Sequence, residues 1–122
     1  MAMQQQTNEV TFETRGDVMV IYIQGDITAF SETKLNEAYR SATGQGAVRL
    51  LLKIAADAYI NSGGIAVLIQ ILAQTSRNRQ VIGITGVSEH FKKIFSMVGI
   101  TKFATIYPSI EEALEKMAVS AA

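Results

Sequence analysis

The chain contains no cysteine. That excludes disulfide staples and thiolate metal sites, and it fits a reducing compartment. It has a single histidine, His90, and a metal centre needs more clustered ligands than one imidazole and scattered carboxylates. It also lacks charge of one sign. Eleven Lys and Arg residues balance eleven Asp and Glu, so the formal net charge is zero. A basic footprint for nucleic acid or an anionic membrane surface is therefore missing. No apolar run approaches the roughly 20 residues of a membrane span. The first residues, Met-Ala-Met-Gln-Gln-Gln-Thr-Asn-Glu, have no signal-peptide core. A cytoplasmic protein is expected, with no nucleic-acid partner, no membrane, no metal and no cofactor.

What is present reads as one globular domain. The 122 residues are enough for a hydrophobic core, and 48% hydrophobic with 18% charged residues is an ordinary globular balance. Residues 1–8 are expected as a flexible N-terminal tail, 9–118 as the domain, and 119–122 as a frayed C-terminus. Val10 to Thr14 alternates, Arg15-Gly16-Asp17 is a turn signal, and Val18 to Ile23 is continuously apolar. This pattern predicts a hairpin, with an edge strand feeding a strand buried on both faces. A helix opens near Ala29 to Ser31, with Leu35, Ala38, Tyr39 and Ala42 at helical spacing. Strands are predicted over Val48 to Ile54, Val81 to Thr85 and Phe103 to Tyr107. Ser88 begins a helix through Met97, which Gly99 stops. The only proline, Pro108, ends the last strand, and Ser109-Ile110-Glu111-Glu112 forms a capping box for a final helix.

The organising stretch is Tyr59 to Leu72. Small polar residues, Asn61 and Ser62, run through Gly63 and Gly64 into an apolar segment. That segment could be a buried strand by periodicity alone, but the polar stretch Gln70 to Asn78 beyond it favours a helix buried within the domain. Asn61 and Ser62 are both good N-cap residues. Gly63 and Gly64 carry no side chains over the first-turn N–H groups, and Ser62 sits where a helix start stabilises negative charge. The order β-β-α-β-α-β-α-β-α implies a single α/β domain. It predicts a mainly parallel sheet of about five strands, an N-terminal antiparallel hairpin strand and about four helices. In such sheets, function gathers beyond the carboxyl ends of the strands. The loops Gly25 to Thr28, Ala55 to Gly64 and Thr85 to Ser88 meet there.

Ser62 has competing readings. It can be a helix cap worth about 1 kcal/mol. A Ser62–His90–Asp57 triad can be written down, but no G-x-S-x-G elbow accompanies it. No G-x-x-x-x-G-K-[ST] supports a nucleotide site at the glycines. Phe91 and Phe95 are core positions first and partner contacts second.

The Gly25-Asp26-Ile27 loop, the helix opening Ile60-Asn61-Ser62-Gly63-Gly64-Ile65 and the stretch Phe91 to Ile100 together resemble the STAS domain. The resemblance is to the bacterial anti-sigma factor antagonist group, and it covers about residues 9–118. In that family an Asp-Ser-(Ser/Thr)-Gly motif opens the second helix, and its first Ser is phosphorylated. The resemblance places that position on Ser62. It implies a non-enzymatic partner switch. The unphosphorylated form binds an ATP-binding anti-sigma factor that is also a serine kinase. Phosphorylation of Ser62 breaks the complex, and a serine phosphatase resets it. The implied partner surface is Gly25, Asp26, Ile27, Thr28, Asn61, Ser62, Gly63 and Gly64, on a monomer. Asn61 replaces the motif's Asp, Gly63 its second hydroxyl residue, and Thr28 an Asp that often follows the loop triplet. An unphosphorylated STAS scaffold, or a transporter-associated regulatory module, is the alternative of the same class. A small serine hydrolase using Ser62 is the alternative of another.

Overall fold

The computed structural model describes residues 8–118. The expected tails at 1–7 and 119–122 lie outside the described residues. Five strands form one sheet in the order β1-β2-β3-β4-β5. They are β1 (Glu9–Arg15), β2 (Val18–Gln24), β3 (Arg49–Ile54), β4 (Val81–Thr85) and β5 (Thr105–Tyr107). The hairpin pairs β1 with β2 antiparallel, and the remaining pairs are parallel. The helices are α1 (Glu32–Gly44), α2 (Ser62–Arg77), α3 (Glu89–Met97) and α4 (Ile110–Met117). The predicted mainly parallel sheet, hairpin strand and four helices are all found.

The sheet is covered unequally. Met19, Ile21 and Ile23 of β2 face the larger core with Leu35 and Tyr39 of α1, Leu68 and Leu72 of α2, and Phe91 and Phe95 of α3. Val18 and Val20 face the opposite side, where Ala113 and Met117 of α4 meet Leu51. A strand buried on both faces must be apolar at every position, and the run Val18 to Ile23 meets that need with only Tyr22 partly open. The helix α2 departs from the expected all-round burial. Val67, Leu68, Ile71, Leu72 and Thr75 are inside, while Ala66, Ile69 and Gln70 are exposed.

Two segments differ from the sequence reading. The strand predicted from Phe103 begins only at Thr105. Gly99, at φ +87°, ends α3 and admits a 3-10 turn over Ile100–Lys102. The N–H groups of Lys102, Phe103 and Ala104 donate to carbonyls of Gly99 and Ile100, so the latter two cannot join a ladder. Asn8, expected as the last tail residue, is instead buried at 2% exposure against the end of β2.

Candidate functional site

The site is built where two chain segments meet at the carboxyl end of β2 and β3. Gly25 turns the chain out of β2 at φ +93°. Ile27 then lies beside Ile60 as an isolated parallel bridge. The Ile27 N–H donates to the Tyr59 carbonyl at 2.9 Å, and the Asn61 N–H donates to the Ile27 carbonyl at 3.2 Å. The Tyr59 N–H donates to Asp26 Oδ1 at 2.9 Å. These bonds fix the entry into α2. Next to them Thr28 caps a 3-10 turn over Ala29–Ser31. Its Oγ1 accepts from the Phe30 N–H, and its own N–H donates to Ser31 Oγ, both at 3.0 Å.

The helix start resolves which of the two candidate caps is used. Asn61, with extended backbone, is the N-cap, and its Oδ1 accepts from the Gly64 N–H at 2.9 Å. Ser62 is the first helical residue and is exposed. Among the described residues its hydroxyl makes no hydrogen bond, and neither do the N–H groups of Ser62 and Gly63. An exposed hydroxyl therefore stands beside two free donors at the positive end of a 16-residue helix.

The two glycines serve packing rather than access. A Cβ on Gly64 would overlap the carbonyl of Ile27, and one on Gly63 would stand 3.0 Å from the Ala29 nitrogen. A side chain at 63 would require the 3-10 turn to give by a few tenths of an ångström.

The sequence-derived surface divides into two layers. Asn61 and Ser62 are exposed, while Asp26, Thr28, Gly25 and Gly63 are half-buried. Ile27 and Gly64 are buried and support the others from below. Two flanking aromatics were not singled out from sequence. Phe30 is 67% exposed beside Ala29, and Tyr59 is 61% exposed with its ring edge-on to Phe91 at 5.8 Å. Their signal was position alone, next to the loop triplet and to Asn61. Phe91 itself is buried, and His90 packs edge-on against it at 5.0 Å.

Among the described residues no hydrogen bond joins Ser62, His90 and Asp57, so no base is held on the Ser62 hydroxyl. No group of three or more His, Cys, Asp or Glu side chains clusters as metal ligands among them. None of the described helices is long and apolar enough to cross a membrane. The shifted ionisations lie away from Ser62. The Lys92 ammonium hydrogen-bonds the Glu89 carboxylate at 2.9 Å and holds it below the usual carboxylate range. The Tyr22 hydroxyl donates to Glu13 at 2.6 Å, which raises its pKa.

Solved structures share this architecture. A Thermotoga maritima protein, provisionally described as an anti-sigma factor antagonist, matches with a TM-score of 0.76 at 17% identity, over 88% of this chain and 93% of its own. An anti-sigma factor antagonist from Mycobacterium paratuberculosis matches with a TM-score of 0.75 at 17% identity, covering 90% and 93%. The Bacillus cell fate determinant SpoIIAA, solved in its phosphorylated form, matches with a TM-score of 0.62 at 15% identity, covering 88% and 98%. At such identities the likeness is one of fold. The sequence model of the STAS domain matches residues 9–113, and the chain belongs to the STAS domain family.

Proposed function

We propose that this domain is an anti-sigma factor antagonist that works by partner switching, with Ser62 as its phosphoacceptor. In this reading the unphosphorylated form binds an ATP-binding anti-sigma factor with serine kinase activity and so releases a sigma factor. Phosphate on Ser62 ends the complex, and a serine phosphatase restores it. The domain acts as a cytoplasmic monomer and catalyses nothing itself.

One observation carries the reading. Asn61 takes the capping work, which leaves the Ser62 hydroxyl exposed and, among the described residues, unbonded, as are the N–H groups of Ser62 and Gly63 beside it. A phosphoryl group adds about −1.5 to −2 charge and three acceptors, and a helix N-terminus accommodates both. Asn61 supplies the same cap oxygen that an Asp would, without placing a second anion beside the phosphate. The docking face consists of Asp26, Thr28, Asn61 and Ser62, flanked by Phe30 and Tyr59. Exposed aromatics of that size are the usual anchors of a protein interface.

The test is incubation with ATP in an extract of the source organism, followed by intact mass. Wild type should gain one phosphate, and Ser62→Ala should gain none. Phosphate on Ser62→Ala would overturn the assignment. A wild type that retains an ATP-binding partner without ever taking phosphate would establish the unphosphorylated scaffold instead, a reading that the absence of the motif's second hydroxyl at Gly63 favours.

A further inference from the structure

We propose that Asn8 is a positioning residue for the Ser62 face. The proposal rests on the reading of that face as the docking site, and its test below does not require a partner. Asn8 precedes β1, opposite the turn at Gly25, because the hairpin register pairs Glu9 with Gln24. Its side-chain amide donates to the carbonyls of Gln24 at 3.0 Å and Asp26 at 2.9 Å. These carbonyls flank the turn that leaves β2. One nitrogen with two protons on a short side chain meets both; Asp, Ala and Ser cannot.

The bonding is one-sided. Among the described residues, Asn8 Oδ1 is buried without a hydrogen-bond partner, so this side chain acts only through its nitrogen. Turning the amide over would set that oxygen against two carbonyl oxygens. The backbone of Asn8 is held separately, since Lys34 Nζ of α1 donates to its carbonyl at 2.9 Å. The amide is thereby anchored to a helix and grips a loop.

The grip passes directly to α2. The Asp26 carbonyl is held by Asn8, and Ser31 Oγ donates to it at 3.4 Å. The carboxylate of the same residue accepts from the Tyr59 N–H. The next residue, Ile27, bonds Tyr59 and Asn61 through its backbone and lies against Gly64. Releasing Asp26 loosens Tyr59, then Asn61, and with it the cap that presents Ser62. Leu51, in β3, has no part in this chain of bonds.

Amide hydrogen exchange on the free, isotopically labelled protein tests this. Protection factors at Tyr59 and Gly64 are compared with that at Leu51 in β3, in wild type, Asn8→Ala and Asn8→Asp. Both variants should lose about tenfold or more of the protection at Tyr59 relative to Leu51, because the carbonyls of Gln24 and Asp26 lose the Asn8 amide. In Asn8→Asp, part of that loss should return at acid pH when read against Asn8→Ala at the same pH, because the protonated carboxyl again offers one O–H donor. Unchanged protection at Tyr59, or a fall in step with Leu51, would overturn the proposal, the second outcome marking Asn8 as a general stabiliser. Should Asn8→Ala not fold, Asn8→Gln keeps the amide but displaces it by one methylene, and the same ratio is read there. The exchange result stands whether or not any kinase acts on Ser62, which the intact-mass experiment decides separately.

Discussion

Gly64 lies so close under Ile27 that a Cβ on the glycine would occupy the space of the Ile27 carbonyl oxygen. The same carbonyl accepts from the Asn61 N–H. The helix start and the loop after β2 are thus one packed unit, and its tightness depends on a missing methyl group. Gly64→Ala must push backbone against backbone, where no rotamer change can relieve it. A loss of about 3 kcal/mol is expected, at the upper end of overpacking costs. Gly63→Ala meets Ala29 at 3.0–3.1 Å and should cost only about 1 kcal/mol. Urea unfolding of both variants checks the order, and equal stabilities would mean that the contact at Gly64 is not tight.

The assignment of the cap predicts opposite behaviour for adjacent residues. Asn61→Ala removes the oxygen that satisfies the Gly64 N–H and should cost about 1 kcal/mol, a fall of several degrees in Tm. Ser62→Ala removes a hydroxyl that has no partner among the described residues and should stay within about 0.5 kcal/mol of wild type. Thermal melts of the pair decide it. A reversed order would make Ser62 the cap and would remove the argument for its freedom.

The C-terminus of α2 offers a stabilising change. Its Schellman bonds run from the Gln80 N–H to Thr75 O at 2.8 Å and from the Arg79 N–H to Ser76 O at 3.2 Å. The helix α1 closes in the same way, with the Ala47 N–H on Ala42 O and the Gly46 N–H on Thr43 O. There the left-handed position is Gly46, whereas in α2 it is Arg79, at φ +57°. Arg79 is exposed and makes no bond among the described residues that glycine would lose. Arg79→Gly should therefore gain about 0.5–1 kcal/mol, the left-handed penalty less the added freedom of the unfolded chain. A lower Tm in this variant would contradict the account.

Glu89 gives a prediction in pH. Its carboxyl is held below the ordinary range by the Lys92 hydrogen bond first and the Lys92 charge second. A lowered folded pKa contributes stability that is present above the unfolded value and is lost as pH falls through the folded one. Lys92→Ala should return the Glu89 titration toward the ordinary carboxylate value and flatten that part of the acid limb. The pair is exposed, so the effect on stability is small. Carboxyl NMR titration of both proteins checks the direction.

Much of this fold was legible because the chain punctuates itself. The unbroken apolar run Val18 to Ile23 reads as a strand covered on both sides, and Gly99 marked a helix end that it does close. Where the reading stopped, local pattern and tertiary demand diverged. Phe103 and Ala104 look like strand residues, yet the turn after Gly99 takes their N–H groups. Asn61 and Ser62 are equally good caps by residue type, and only the register of α2 separates them. Asn8 resembles any polar tail residue until β1 sets it against two loop carbonyls. Phe30 carries no sign in the sequence that its ring is left outside.

The proposed switch makes the final prediction. Phosphate at Ser62 should abolish partner binding while leaving the domain folded. The charge falls at the N-terminus of α2, where the dipole favours it by about 0.3–1 kcal/mol. The free N–H groups of Ser62 and Gly63 are at hand to meet it, so the domain itself tolerates the modification. A partner seated on Phe30, Asn61 and Tyr59 does not, because it must desolvate the phosphate or oppose it with its own acidic groups. Like-charge contact of that kind costs several kcal/mol. Ser62→Asp imitates the charge in part, with fewer acceptors. Its Tm should stay within a few degrees of wild type, since an exposed substitution at a position without bonds shifts stability by about 0.5 kcal/mol. Its partner affinity should fall at least about tenfold, a loss of about 1.4 kcal/mol. Calorimetric titration with the co-purified partner and a thermal melt on the same preparation read both halves. Undiminished affinity in the phosphorylated protein would remove the switch, and a collapsed melt would make Ser62 part of the scaffold.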